Sequence, residues 1–211
     1  NTQTGSTIDS LLTDVKKDSV PAKGTVNPLF DLASPVRYES PVLLTANLKD
    51  TMQVNSYLHS PEAKRLLPAD LQYVKFVWGK PDKKTSMIEL YALKGNRDNT
   101  PALTGNVITQ ADQGYDMRNQ PSVSMQMDGK GARIWEALTG KAFTERGNIA
   151  IVLDNIVYSA PGVTTGAISG GRSEITGNFT LNEAIDLANV LRAGKLPAGA
   201  DIVQSEVVGP S

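Results

Sequence analysis

Three places in this sequence carry residue types that could do chemistry. The first is Asp154, in the stretch GNIAIVLDNIVYSAPGV (147–163), where an apolar run ends in an acid. An acid at the end of a buried strand can serve as a metal ligand or an acid catalyst. Asp-Asn between two apolar runs is equally a pair that tolerates positive φ in a two-residue hairpin turn. With no histidine nearby and no acid at a matching spacing, the turn is favoured. The second is His59, the only histidine of the chain, in YLHSPE. Without partners at a recognisable spacing, neither a Ser-His-Asp triad nor a histidine-rich metal site can be argued, so a surface histidine is expected. The third is ISGGRSEITG (168–177), which has the glycine density of a phosphate loop. It lacks G-K-[ST], and no helix opens directly after its glycines, so Gly170-Gly171 is expected to make a tight turn or bulge. The chain has no cysteine, which removes disulfides, zinc-thiolate sites and thiol chemistry. No catalytic, cofactor-binding or metal-binding residue is assigned, and an enzyme is not expected.

The rest of the composition narrows the class further. A chain of 211 residues can hold one large domain or two small ones around a real core. Its 40% apolar and 20% charged residues are ordinary for a globular protein, and its net charge of −1 argues against nucleic acid as a partner. The longest apolar runs fall far short of the roughly 20 residues that cross a bilayer. The abrupt ends, NTQTGST and VVGPS, suggest an excised piece.

The elements that must position these residues follow from periodicity. Residues 1–45 are expected to be a connector, with a short helix around Ile8–Val15 followed by a Pro-, Ser- and Gly-rich stretch. Two short helices follow, the second capped by Ser60 with Pro61 at its first position. Segments 71–79, 86–94 and 121–129 alternate as strands, the last with Val123, Met125 and Met127 on one face. A helix over 131–146 carries the stripe Ile134, Trp135 and Leu138. Trp135 and the two methionines could line a pocket for extended apolar peptide, but their spacing also fits plain core. Strands at 149–153 and 156–159 flank the Asp154-Asn155 turn. Thr180 and Glu183 then make a capping box for a helix that Gly194 ends, and a last strand closes the chain. The fold class is α+β, a largely antiparallel sheet with helices packed on one face.

Several linked stretches in one order resemble a known family: LTGNVITQA (103–111), QPSVSMQMDGKGARIWEALT (120–139), GNIAIVLDNIVYSAP (147–161) and GGRSEITGNFTLNEAIDLANVLRAGKLP (170–197), ending in VVGPS. They are similar to the carboxy-terminal half of the large first extracytoplasmic domain of the SecD protein-export family. GNFT and VVGPS are most like the SecDF fusions of Bacteroidota. The resemblance is weaker over 46–102 and absent from 1–45. It implies a periplasmic domain of an inner-membrane protein that works beside the SecYEG channel, with SecF, fused in the same chain in such fusions, and with the rest of SecD. The family uses the proton-motive force. Its first extracytoplasmic domain has a ferredoxin-like base and a mobile head that contacts unfolded preprotein. The base motifs, Gly-Leu-Asp-Leu-x-Gly-Gly and Val-Glu-Leu-Pro-Gly, are missing here, as are the proton-carrying membrane helices. Residues 46–200 are therefore expected to be head, and 201–211 a strand returning toward the base and the next membrane helix.

Within that picture, VYSAPGV places apolar and aromatic groups beside a flexible loop, a surface suited to holding an unfolded chain loosely. The candidate preprotein contacts are Val157, Tyr158, Ser159, Ala160, Pro161 and Val163, although Tyr158 fits the core equally well. AGKLPAGAD supplies a candidate hinge at Gly194, Pro197 and Gly199. The competing expectation is an unrelated periplasmic α+β ligand-binding or hydrolytic domain.

Overall fold

A computed structural model describes residues 28–36, 40–82, 84–177 and 179–194, and the backbone of 201–205. The helix expected around Ile8–Val15 and the hinge residues Pro197 and Gly199 lie outside the described residues. The amino-terminal part opens with a single helical turn, α1 (Leu29–Leu32), running into strand β1 (Ala33–Pro35), with β2 (Val42–Asn47) returning antiparallel to it. These strands occupy part of the stretch expected to be connector. Helices α2 (Thr51–Leu58) and α3 (Pro61–Leu66) come next. Ser60 caps α3 by accepting a hydrogen bond from the Ala63 amide at 3.1 Å, with Pro61 at the first position as expected.

The hairpin partners β3 (Lys75–Gly79) and β4 (Met87–Leu93) are antiparallel. The strand expected from residue 71 begins only at Lys75. Ahead of it, the Leu71 amide bonds to the Pro68 carbonyl and the Val74 amide to the Leu71 carbonyl, which closes a tight turn instead of extending the ladder. After β5 (Leu103–Thr104) come β6 (Ile108–Tyr115) and β7 (Pro121–Met127), then α4 (Gly129–Thr144). Helix α4 starts two residues earlier than expected because Asp128 caps it, its carboxylate accepting from the Gly131 amide at 2.7 Å.

Strands β8 (Asn148–Leu153) and β9 (Ile156–Ser159) form the expected hairpin. Asp154 and Asn155 both have positive φ, 49° and 59°, the pattern of a type I′ turn. The last elements are β10 (Arg172–Ile175), α5 (Leu181–Ala193) and β11 (Asp201–Ser205). Thr180 caps α5 in a complete capping box with Glu183, as expected. Thr180→Ala is expected to lower the folding free energy by about 1 kcal/mol, read as a lower denaturant midpoint with an unchanged slope. Gly194 ends α5 in right-handed conformation, φ −58°, with its amide bonded to the Val190 carbonyl.

The architecture is α+β, with antiparallel pairings throughout except one short parallel pairing of β3 with β9. It has two sheets where one was expected. The larger runs β1-β2-β4-β3-β9-β8-β11-β5, and the smaller β10-β7-β6. Strand β11 pairs with β8 over five positions, so 201–205 are built into the larger sheet.

Alternation along the strands sorts the core. Ile149 and Ile151 of β8 join the largest apolar cluster, with Trp135 and Leu138 of α4, Leu187 and Leu191 of α5, and Val123, Met125 and Met127 of β7. Their intervening neighbours Ala150 and Val152 pack instead with Tyr91, Leu93 and Val157. A third cluster gathers Leu44, Ala46 and Leu90 around Val54 of α2. No described helix is long and apolar enough to cross a membrane.

Candidate functional site

The residues first considered for chemistry take structural places. Asp154 is exposed at the hairpin tip. His59 follows α2 and lies 2.9 Å from the Asn55 carbonyl oxygen through Nδ1, its ring edge-on to Phe76. Gly170 and Gly171 both have positive φ, 77° and 71°, so the expected turn falls there. Gly171 must remain glycine for a second reason: a Cβ there would sit 2.7 Å from that of Ala132. Among the described residues, no three His, Cys, Asp or Glu side chains gather as metal ligands do.

What is assembled is a cleft. Strand β9 leads into a loop over 160–171 that is tied at several points. The Asn148 side chain donates to the Ala160 carbonyl at 2.9 Å, and the Ile149 amide donates to the Pro161 carbonyl at 3.0 Å. Further along, the Ile168 amide donates to the hydroxyl of Thr139, which is fully buried on α4 and itself donates to the Trp135 carbonyl. At the far end, the Met127 amide donates to the Gly171 carbonyl. Between this loop, β8 and β10 lies a cavity of about 360 Å3. Trp135, Ile151, Pro161, Val163, Ile168 and Ile175 are among its walls, with Thr164, Thr165 and Ser173 supplying polar groups.

Trp135 gives this cleft an unusual feature. It is 5% exposed, and its indole N–H is buried with no hydrogen-bond partner among the described residues. The other tryptophan, Trp78, donates to Asn55 at 3.0 Å. An unpartnered buried donor costs about 1–3 kcal/mol and calls for a reason.

Thr139 is the post that holds the loop to α4. Thr139→Val keeps the shape but removes the acceptor for the Ile168 amide. We expect this to loosen the loop by about 1–3 kcal/mol, seen as faster hydrogen exchange at Ile168 while the amides of β6 and β7 keep their protection.

The six residues singled out as contacts do not act as one set. Pro161 and Val163 line the cleft. Val157 is 2% exposed and packs in the core with Tyr91 and Val152. Tyr158 is half-buried against the largest cluster, with the Lys80 ammonium 4.0 Å from its ring centroid. Both line a smaller depression of about 170 Å3 with Tyr91 and Phe179. There Tyr91 donates to Glu89 at 2.7 Å, and burial, then that bond, push its hydroxyl well above the usual tyrosine range. Ser159 and Ala160 are half-buried and line neither hollow. Met125 and Met127 are core, at 2% and 4% exposure. Sequence reasoning missed β10 as a wall of the cleft, because alternation over the four residues RSEI is too short to stand out.

By build, then, this is a two-sheet α+β domain with a cleft between the edge of the smaller sheet and the loop after β9. The chain belongs to the family of SecDF P1 head subdomains, whose family model matches residues 87–198. It is 43% identical over 187 residues to the protein translocase subunit SecD of Rhodothermus marinus, covering 88% of this chain and 29% of that protein. It is 46% identical over 110 residues to the SecD of Calditerrivibrio nitroreducens, covering 52% of this chain and 21% of that one. The chain thus spans less than a third of the length of these relatives. A solved SecDF, described as a membrane component that enhances protein export, is 22% identical and covers 96% of this chain and 76% of its own, with a TM-score of 0.41. SecDF in a super-membrane-facing form is 29% identical over 72% of this chain and 18% of its own, also with a TM-score of 0.41.

Proposed function

We propose that this chain is the non-catalytic head of the first periplasmic domain of a SecD or SecDF translocation factor in the inner membrane. It contacts unfolded preprotein emerging from the SecYEG channel. It moves relative to the base of the same domain while the proton-motive force drives export, with SecF and the rest of SecD as its working partners. Membership of the SecDF P1 head family supports the placement. The single observation that carries the contact is the cleft, walled by Pro161 and Val163 of the loop together with Trp135 and Ile168. Its walls mix apolar surface with hydroxyls, which suits a passing chain of varied sequence better than one small ligand.

The hinge proposed at Gly194, Pro197 and Gly199 carries a mechanical condition. Strand β11 follows it and is paired with β8, so a swing about this segment either carries β11 with the head or breaks that pairing.

The test uses the full-length parent protein during export, with a photo-crosslinking side chain at Val163 or Thr164. The expected result is an adduct with an exporting preprotein, and none from the fully exposed Met117 on the β6–β7 turn. Equal adducts from all three positions, or none from the cleft, would overturn the proposed contact.

A further inference from the structure

We infer that the cleft takes its polypeptide as an added β-strand, laid antiparallel or parallel along the free edge of β10. This rests on the preprotein reading above and names how the chain is held. Among the described residues, strand β10 is an edge of the smaller sheet and pairs with β7 alone. The register opposes Arg172 to Gln126, Ser173 to Met125, Glu174 to Ser124 and Ile175 to Val123. One residue earlier, the Gly171 carbonyl accepts from the Met127 amide. Bonding alternates along an antiparallel ladder, so Ser173 and Ile175 turn their backbone groups to β7. Arg172 and Glu174 turn theirs outward, away from β7. A sheet edge of this kind is a template for another extended backbone.

Three further features point to that occupant. The cleft runs beside this edge and is walled by every residue of β10. The strand carries one positive and one negative side chain, Arg172 hydrogen-bonded to Gln126 at 3.2 Å and Glu174 to Ser122 at 2.7 Å, so the edge has no net charge with which to select a charged segment. The ring of Trp135 and the side chains of Ile151, Val163 and Ile168 add apolar wall beside the strand, which suits the side chains of an extended apolar guest. Pairing through the backbone is indifferent to side-chain identity. That indifference is what a site for many preproteins needs, and a short strand of four residues lets the guest go again.

The experiment titrates the isotope-labelled chain with a short synthetic peptide alternating Val and Thr, and with the same peptide N-methylated at alternate positions on either phase. Hydrogen exchange is read in parallel. The expected result is new protection of the Arg172 and Glu174 amides with little change at Ser173 and Ile175. One phase of N-methylation should weaken binding about tenfold and the other far less. Glu174→Pro removes the outward amide without touching the β7 ladder, and should abolish the effect. Glu174→Ala, which loses only the Ser122 contact, should keep it. Equal binding of all the peptides in the cleft, or shifts confined to another surface, overturns strand addition while leaving the preprotein reading standing. No binding of any peptide anywhere, with the fold intact, overturns both.

Discussion

Truncating Leu191 to alanine is expected to lower the stability of the chain by about 3 kcal/mol. Leu191 is fully buried on the inner face of α5, one turn beyond Leu187, in the cluster that also holds Met125 and Trp135. The helix cannot settle into the vacated space, because the next residue, Arg192, donates through Nε and Nη2 to the Ala111 carbonyl of β6 at 3.0 and 2.9 Å. A void that cannot collapse is the costly kind. Leu181, at the start of the same helix and 43% exposed, is the control. Leu181→Ala should change stability by less than about 1 kcal/mol. Urea unfolding of both variants decides the matter, and equal losses would contradict this packing of α5.

The second large effect reverses a general rule. Alanine in place of a helical glycine usually stabilises, by about 0.5–1 kcal/mol. That gain is expected at Gly129, where an added Cβ meets nothing within 4 Å. Two residues on, Gly131→Ala is expected to destabilise by about 2 kcal/mol. A Cβ at Gly131 would lie 2.6 and 2.7 Å from Cγ2 and Cβ of Val107, and 3.2 Å from Cβ of Met127. Val107 cannot give way, since its carbonyl accepts from the Asp128 amide at 2.9 Å and Asp128 caps the helix. Thermal melts of the two alanine variants should move in opposite directions. A parallel rise in both would show that α4 does not sit this close to the turn before β6.

These contrasts show which parts of the fold are written locally. The Thr180–Glu183 box, the Ser60-Pro61 start, the Asp154-Asn155 turn and the Gly170-Gly171 turn all depend on neighbours in sequence, and each could be read from residue type alone. The division into two sheets could not. Strand β10 finds β7 nearly fifty residues away, and nothing in RSEI names that partner. Strand β6 was also hidden, because ITQADQGY is an edge strand with mostly polar side chains and a register shift near Ile108, so its alternation is broken. The site was half legible. The run Ser159–Val163 leads into the loop that walls the cleft, but Val157 belongs to the core, and Trp135 could not be known as an unpartnered donor until its neighbours were placed.

Everything proposed for this chain turns on whether the cleft beside β10 holds unfolded polypeptide. The most direct test is a backbone-amide NMR titration of this chain with an unfolded, signal-bearing preprotein segment, following the Trp135 indole proton as well. Localised shifts are expected at Val163, Thr164, Ile168 and Arg172 together with movement of that indole signal. An unperturbed cleft in a chain shown to be folded, with shifts elsewhere or none at all, would contradict polypeptide binding there.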